Sequence, residues 1–299
     1  MTDRSRKAKG ALCAAAGGMC WGLSGSMGQY LFQYKEMSAF WLVPVRLFFA
    51  GVILMIYCLV KHRKALIGIW KPKRDRIWLL VYAVSLSTCQ FFYFLTIQLS
   101  TAGVGTILQD LSPVLILACS CVRTKSRPKA RQVLAIVLAL AGVVLITTHG
   151  NFTDTAVPGE AVLAGLASAV FVAVYNELPQ DFLHRYPIIV LQAWAFFLGG
   201  MMLFFAFRSW KIPYRPDAAA LGGIVFVVLV GNIIAFTSYM TGVALIGPDL
   251  AVLYGFAEPL TAAAVTLVLF HSPFTVYDGL GFAAVFLMLV LISAPQRDA

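Results

Sequence analysis

An all-α integral membrane protein of ten transmembrane helices, built as two inverted five-helix repeats (5+5) around a central cavity, is expected from three features of this chain. Its 299 residues are 60% hydrophobic and 12% charged, against a charged share of about 25% in soluble domains; its mean hydropathy is +0.84. Apolar stretches of the ~20 residues needed to cross a bilayer recur along its whole length. Two of these stretches carry matching interior defects, Gln109-Asp110-Leu111-Ser112-Pro113 and Phe256-Ala257-Glu258-Pro259.

The spans fall near 10–32, 37–60, 77–99, 101–122, 130–149, 159–180, 186–208, 217–240, 248–270 and 275–294. They leave no room for a separate soluble domain. The net charge of +10 is distributed as a topology signal, not as a nucleic-acid footprint. One side of the membrane receives Arg4, Arg6, Lys7 and Lys9, the run from Lys61 to Arg76, the run from Arg123 to Arg131, Arg185 and Arg297. The other receives Lys35, Arg208, Lys211 and Arg215. The excess of basic residues on the cytoplasmic side of membrane proteins therefore puts both termini in the cytoplasm, in a cytoplasmic (inner) membrane. The basic start before an apolar run is read as a retained first span, since no small-residue cleavage site follows it.

Cys13, Cys20, Cys58, Cys89, Cys119 and Cys121 lie in or at spans without CxxC spacing and read as packing residues. The four histidines are scattered, so neither a metal site nor a cofactor is expected. No phosphate-binding P-loop occurs, which argues against direct ATP drive.

Aligning Pro113 with Pro259 divides the chain into two five-span repeats, 1–150 and 151–299, joined by the polar linker Asn151-Phe152-Thr153-Asp154-Thr155. Five crossings are an odd number, so the second copy enters the membrane from the opposite side. This is the inverted-repeat plan of secondary transporters, with a site at the midplane between the repeats.

Trp21-Gly22 in the first span, Arg46 in the second, Pro113 in the fourth, the Gly142-containing fifth span and the repeated Glu258-Pro259 resemble the EamA-type drug/metabolite transporter superfamily. The resemblance covers nearly the whole chain. It implies a 5+5 transporter in which the first, third, fourth, sixth, eighth and ninth spans surround the cavity. It also implies cargo among amino acids, nucleotide sugars, other metabolites or drugs, often moved outward. Where many members carry a glutamate after the fourth and ninth spans, this chain reads Val122-Arg123-Thr124-Lys125 and His271-Ser272-Pro273.

Helix positions three, four and seven apart share a face. Thr106, Gln109, Asp110 and Pro113 form a polar stripe on the fourth span, and Tyr254, Glu258 and Thr261 form one on the ninth. Such stripes face a cavity, because lipid leaves polar groups without partners. Each proline withholds a donor from the carbonyl one turn earlier, that of Gln109 or of Gly255. Freed carbonyls beside carboxylates suit ammonium groups, other polar ligands or protons; helix-shaping kinks satisfied by water or hydroxyls are the alternative. Asp110 and Glu258 are the candidate proton carriers. Arg46 is expected either to pair with one of these acids as a structural tie or gate, or to neutralise a substrate carboxylate.

Trp21, Gln90, Tyr93 and Asn232 complete the candidate substrate-binding set with Thr106, Gln109, Asp110, Tyr254 and Glu258. Glu177, at the end of the sixth span, lines the inner mouth or caps its helix. The expected partners are a small-molecule substrate, the bilayer and protons as a coupling ion. A secondary exporter of an amino acid or related amine is the reading favoured. Its rivals are a lipid or lipid-linked-sugar flippase and a non-transporting sensor or scaffold; an enzyme would need a nucleophile–base pair or metal cluster that the sequence does not offer.

Overall fold

Helices account for nearly all of the computed structural model, which describes residues 3–125, 130–148, 157–176, 178, 180–271 and 274–293. The helices are α1 (Asp3–Lys35), α2 (Ala39–Lys61), α3 (Arg63–Gly68), α4 (Lys73–Leu99), α5 (Ala102–Gln109), α6 (Ser112–Thr124), α7 (Ala130–Thr148) and α8 (Gly159–Asn176). They continue with α9 (Gln180–Arg185), α10 (Ile188–Ala206), α11 (Ala218–Phe226), α12 (Ala235–Ile246), α13 (Pro248–Gly255), α14 (Ala257–Leu269) and α15 (Val276–Ser293). A π-helical segment, Val227–Ile234, joins α11 to α12 without a break. Among the described residues there is no strand.

Among the described residues, six segments are long and apolar enough to cross a membrane: Ala39–Lys61, Lys73–Leu99, Ala102–Cys119, Gly159–Asn176, Ile188–Ala206 and Ala218–Ile246. Shorter apolar helices are Ala130–Ile146, Ala257–Leu269 and Val276–Leu291. The expected first span lies inside α1, whose 33 residues include a glycine- and serine-rich stretch of low hydropathy. The expected ninth is divided between α13 and α14. This multi-pass integral membrane architecture presents an apolar exterior, with Leu12, Leu163, Val60 and Val268 among its most exposed side chains.

Both proline steps break their helices. Asp110 and Leu111 separate α5, of 8 residues, from α6, of 13; Phe256 separates α13, of 8, from α14, of 13. Pro113 stands at the second position of α6, where its missing N–H costs nothing. The helices after the breaks end alike, at Lys125 (φ 51°) and His271 (φ 49°), both left-handed and equally far beyond their prolines.

Helix association in lipid draws on close packing and hydrogen bonds, not on water exclusion, and here it uses glycine. α2 packs on α10, and α7 on α15. Both contacts are reciprocal. A Cβ on Gly51 would meet the Phe197 nitrogen at 2.4 Å and one on Gly200 the Phe48 nitrogen at 2.5 Å; Gly142 and Gly281 each face the other's carbonyl oxygen at 2.9 Å. α1 packs on α12 and α14, while α4 packs on α8 and α10, and α5 lies against α8 and α14.

Candidate functional site

The two breaks meet the glycine-lined face of α1 on one side and the polar face of α4 on the other. A Cβ on Gly18 would stand 2.6 Å from the carbonyl oxygen of Gly255, the carbonyl Pro259 deprives of its donor, and one on Gly22 would stand 2.6 Å from the oxygen of Glu258. Trp21, between them, packs its ring against Tyr239 at 5.0 Å, and Tyr239 in turn covers Gly255. The ring thus forms part of the wall around the break.

Asp110 and Glu258 are electrostatic neighbours, although they lie in different halves of the chain. Both interact with Tyr93 and Tyr239. The Tyr93 hydroxyl lies 3.2 Å from Thr106 Oγ1, which donates to the Ala102 carbonyl at 2.9 Å. One carboxylate oxygen of Asp110, Oδ2, is buried and has no hydrogen-bond partner in the protein.

Gln109 bonds to neighbouring helices. Its Oε1 accepts from Ser168 Oγ at 2.7 Å and from Cys89 Sγ at 3.6 Å, fastening α5 to α8 and α4. The polar stripe expected on the fourth span therefore divides: Gln109 and Thr106 are tied to neighbouring helices, and Asp110 keeps an unused acceptor. On the ninth span Thr261 bonds back to the Ala257 carbonyl at 2.7 Å, and Tyr254 is exposed. Glu177 lies outside the described residues.

Arg46, 2% exposed, reaches from α2 into a polar recess. Its Nη2 donates to Gln90 Oε1, its Nη1 donates to Asn232 Oδ1 at 3.3 Å, and its guanidinium carbon lies 3.7 Å from the centre of the Phe94 ring. The expected pairing with an acid is corrected here. Its hydrogen-bond partners are two neutral amides and its electrostatic neighbours are Tyr93 and Cys89, not Asp110 or Glu258. The guanidinium is claimed first by Asn232 of the π-helical segment and by Gln90 of α4. Arg46 Nε and Asn232 Nδ2 remain buried without partners.

Gln29, fully buried on α1, caps the start of α5 by accepting the Ala102 N–H at 2.8 Å, and also receives the Thr266 hydroxyl at 3.4 Å. Tyr239, Cys89 and Ser168 were not singled out as site residues from sequence. Tyr239 follows Asn232 by two helical turns, a spacing that groups them.

Away from the spans, Asp75 at the start of α4 is 2% exposed. It accepts two bonds from Arg185 Nη1, at 3.0 and 2.9 Å, and one from the Tyr186 hydroxyl at 2.6 Å. Burial, then the bond to Asp75, pushes the Tyr186 phenol up to about 12.

Comparison with known proteins agrees with this architecture. The EamA-like transporter family model matches residues 8–148 and again 159–294. The chain is 31% identical over 290 residues to the uncharacterized inner membrane transporter YicL of Salmonella typhimurium, covering 97% of this chain and 96% of that protein. It is 24% identical over 239 residues to the uncharacterized transporter YwfM of Bacillus subtilis, covering 78% and 80% respectively. A crystal structure at 18% identity superposes with a TM-score of 0.63 over 95% of this chain and 96% of that one, a likeness of fold alone. With a family model matched twice across an all-helical, apolar chain, this protein belongs to the EamA-like transporter family, within the drug/metabolite transporter superfamily.

Proposed function

We propose that this protein is a secondary-active exporter of a small polar or amphipathic metabolite, an amino acid or related amine. It works by alternating access about a midplane site between two inverted five-helix repeats, residues 1–150 and 151–299, with both termini in the cytoplasm. The observation that carries the reading is that Asp110 and Glu258, each beside a helix break in its own half of the chain, are within electrostatic reach of one another. Carboxylates this deep in a bundle are costly to keep, and by default mark a substrate or proton path. Broken helices supply the backbone groups that transporters use for ligand and ion.

The repeat is supported by the equal lengths of the two broken helix pairs and by their matching left-handed ends. It is also supported by packing. Exchanging the halves turns the α1–α12 contact into the α8–α4 contact and the α1–α13 and α1–α14 contacts into those of α8 with α5 and α6, and it pairs α2 with α10 and α7 with α15. The family match to each half agrees. Asp110 and Glu258 are the proposed proton carriers. Purified protein in liposomes, driven by a pH gradient against a panel of amino acids and amines, tests this. Wild type drives at least one solute, and Asp110→Asn with Glu258→Gln abolishes the drive; full drive in the double variant defeats proton coupling through these acids.

A further inference from the structure

A cavity of about 260 Å³ lies at the end of the bundle where α4 turns into α5. Thr101 and Gly103 at the start of α5, Ala263 and Thr266 of α14, and Asp278 and Phe282 of α15 line it, with the last turn of α7 and the residues just before α8. From this cavity α5 and α14 run side by side to the two breaks. Beside it a Cβ on Gly103 would stand 3.7 Å from the Ala263 Cα. At their far ends the two helices carry Asp110 and Glu258.

Between the cavity and the acids lies a buried layer. Gln29 of α1 is fully buried, and Ala102, Thr106, Tyr93 and Phe94 are buried with it. There α4 closes on the glycines of α1. A Cβ on Gly25 would stand 2.6 Å from the Tyr93 hydroxyl oxygen, and one on Gly28 would stand 2.5 Å from the Phe94 ring. Asp110 and Glu258, by contrast, keep part of their surface accessible.

Gln29 ties the layer together. Its Oε1 accepts both the Ala102 N–H, at 2.8 Å, and the Thr266 hydroxyl, at 3.4 Å, so one amide joins α1, α5 and α14. The start of α5 already has its own cap in Thr101, whose Oγ1 accepts the Val104 N–H at 3.3 Å. The Gln29 bond is therefore a tie between helices. It stands at the same depth on all three. Gln29 is seven residues past Gly22, which faces the Glu258 carbonyl; Ala102 is eight before Asp110, and Thr266 is eight after Glu258. At about 1.5 Å per residue each arm is roughly 10–12 Å long. The tie is also neutral. Bonds between neutral groups carry a modest net energy and leave no bare charge in the bundle when they part.

We propose that Gln29 is the bar that shuts the acid pair off from this cavity, and that the cavity is the antechamber of the transport path at that end. Opening moves α1 away from α5 and α14 and breaks both bonds together. The inference rests on the transport reading above and deepens it: the state described is closed on the cavity side, which the proposed orientation puts outside.

The test places a cysteine at Thr106, between Gln29 and Asp110, in full-length protein whose native cysteines are replaced by alanine. Its reaction with a charged, membrane-impermeant methanethiosulfonate is timed in intact cells and in inside-out vesicles. Gln29→Met keeps the side-chain length and removes the amide acceptor. It raises the rate in intact cells about tenfold, as expected when hydrogen bonds of this kind are lost, and leaves the rate in vesicles equal or lower. Gln29→Glu keeps acceptor oxygens for both donors and holds the slow rate. Thr266→Val, of similar shape, loses one bond and gives an intermediate rate. A Gln29→Met rate that is unchanged, or raised alike from both sides as loosened packing would raise it, overturns the bar. Counterflow of an L-amino acid mixture by wild type separates the two claims. Counterflow present with unchanged labelling sinks the bar alone; counterflow absent sinks the transport reading and the path with it.

Discussion

Gly18 lies against the carbonyl of Gly255 so closely that a Cβ on it would stand 2.6 Å from the oxygen. Real Cβ atoms do not approach backbone this closely, and the oxygen belongs to the helix break, not to a flexible side chain. Gly18→Ala must therefore push α1 away from the α13–α14 break. A loss of about 1–3 kcal/mol is expected from such overpacking, read as a fall in the melting temperature of purified protein. Gly222→Ala is the control. Nothing lies within 4 Å of its added Cβ, and the gain in helix propensity leaves stability unchanged or slightly raised.

Removing Arg185 leaves Asp75 buried with only the Tyr186 hydroxyl as partner. Arg185→Ala is expected to cost roughly 2–4 kcal/mol, because an orphaned buried carboxylate loses more than the pair is worth. The Lys35–Asp217 pair, at 2.7 Å, is exposed to solvent, and Lys35→Ala is expected to change stability little, and less still at high salt. Thermal melts of the two single variants side by side check the contrast.

The same cluster sets an alkaline limit. Tyr186 has its phenol raised above its ordinary value, to about 12. A raised pKa in the folded state means that the stabilisation is complete below the unfolded value of about 10 and fades as pH rises towards the folded one. Wild type is expected to lose melting temperature between about pH 10 and pH 12 more steeply than Tyr186→Phe, which has no proton to lose. Equal slopes in the two proteins contradict the assignment.

The helix breaks were legible in sequence because proline and a carboxylate inside an apolar run have few structural meanings. Pro113 and Pro259 accordingly mark both breaks to within a turn. The π-helical segment was not legible: Val-Val-Leu-Val-Gly-Asn-Ile-Ile carries no proline and reads as ordinary apolar helix. Its effect is to present Asn232 to Arg46, and this is why the partner of Arg46 was expected among the acids. Gln109 took partners that its spacing did not show. Periodicity places it on the face of Asp110, but the break after α5 lets the two diverge, and Ser168 on a distant helix claims its oxygen. The expected first span, inside α1, is not among the segments apolar enough to cross a membrane; its glycines trade apolar surface for close approach.

Topology supplies an independent check on the repeat. The proposed orientation, with both termini in the cytoplasm and five crossings in each half, predicts that residues 151–155 face the outside. A cysteine placed at Thr153 is expected to react with a membrane-impermeant maleimide in intact cells, and a fluorescent protein fused after residue 299 is expected to fold and emit. Protection of the linker together with a dark fusion would reverse the orientation; protection of the linker with a bright fusion would break the 5+5 plan.

The claim on which the account turns is that Asp110 and Glu258 are two walls of one transport site. Counterflow into proteoliposomes preloaded with an unlabelled L-amino acid mixture, with trace labelled amino acids outside, measures this without any gradient. Wild-type protein is expected to accumulate label transiently, and the Asp110→Asn, Glu258→Gln double variant, reconstituted to equal density, to show none. Equal accumulation by the two proteins would contradict it.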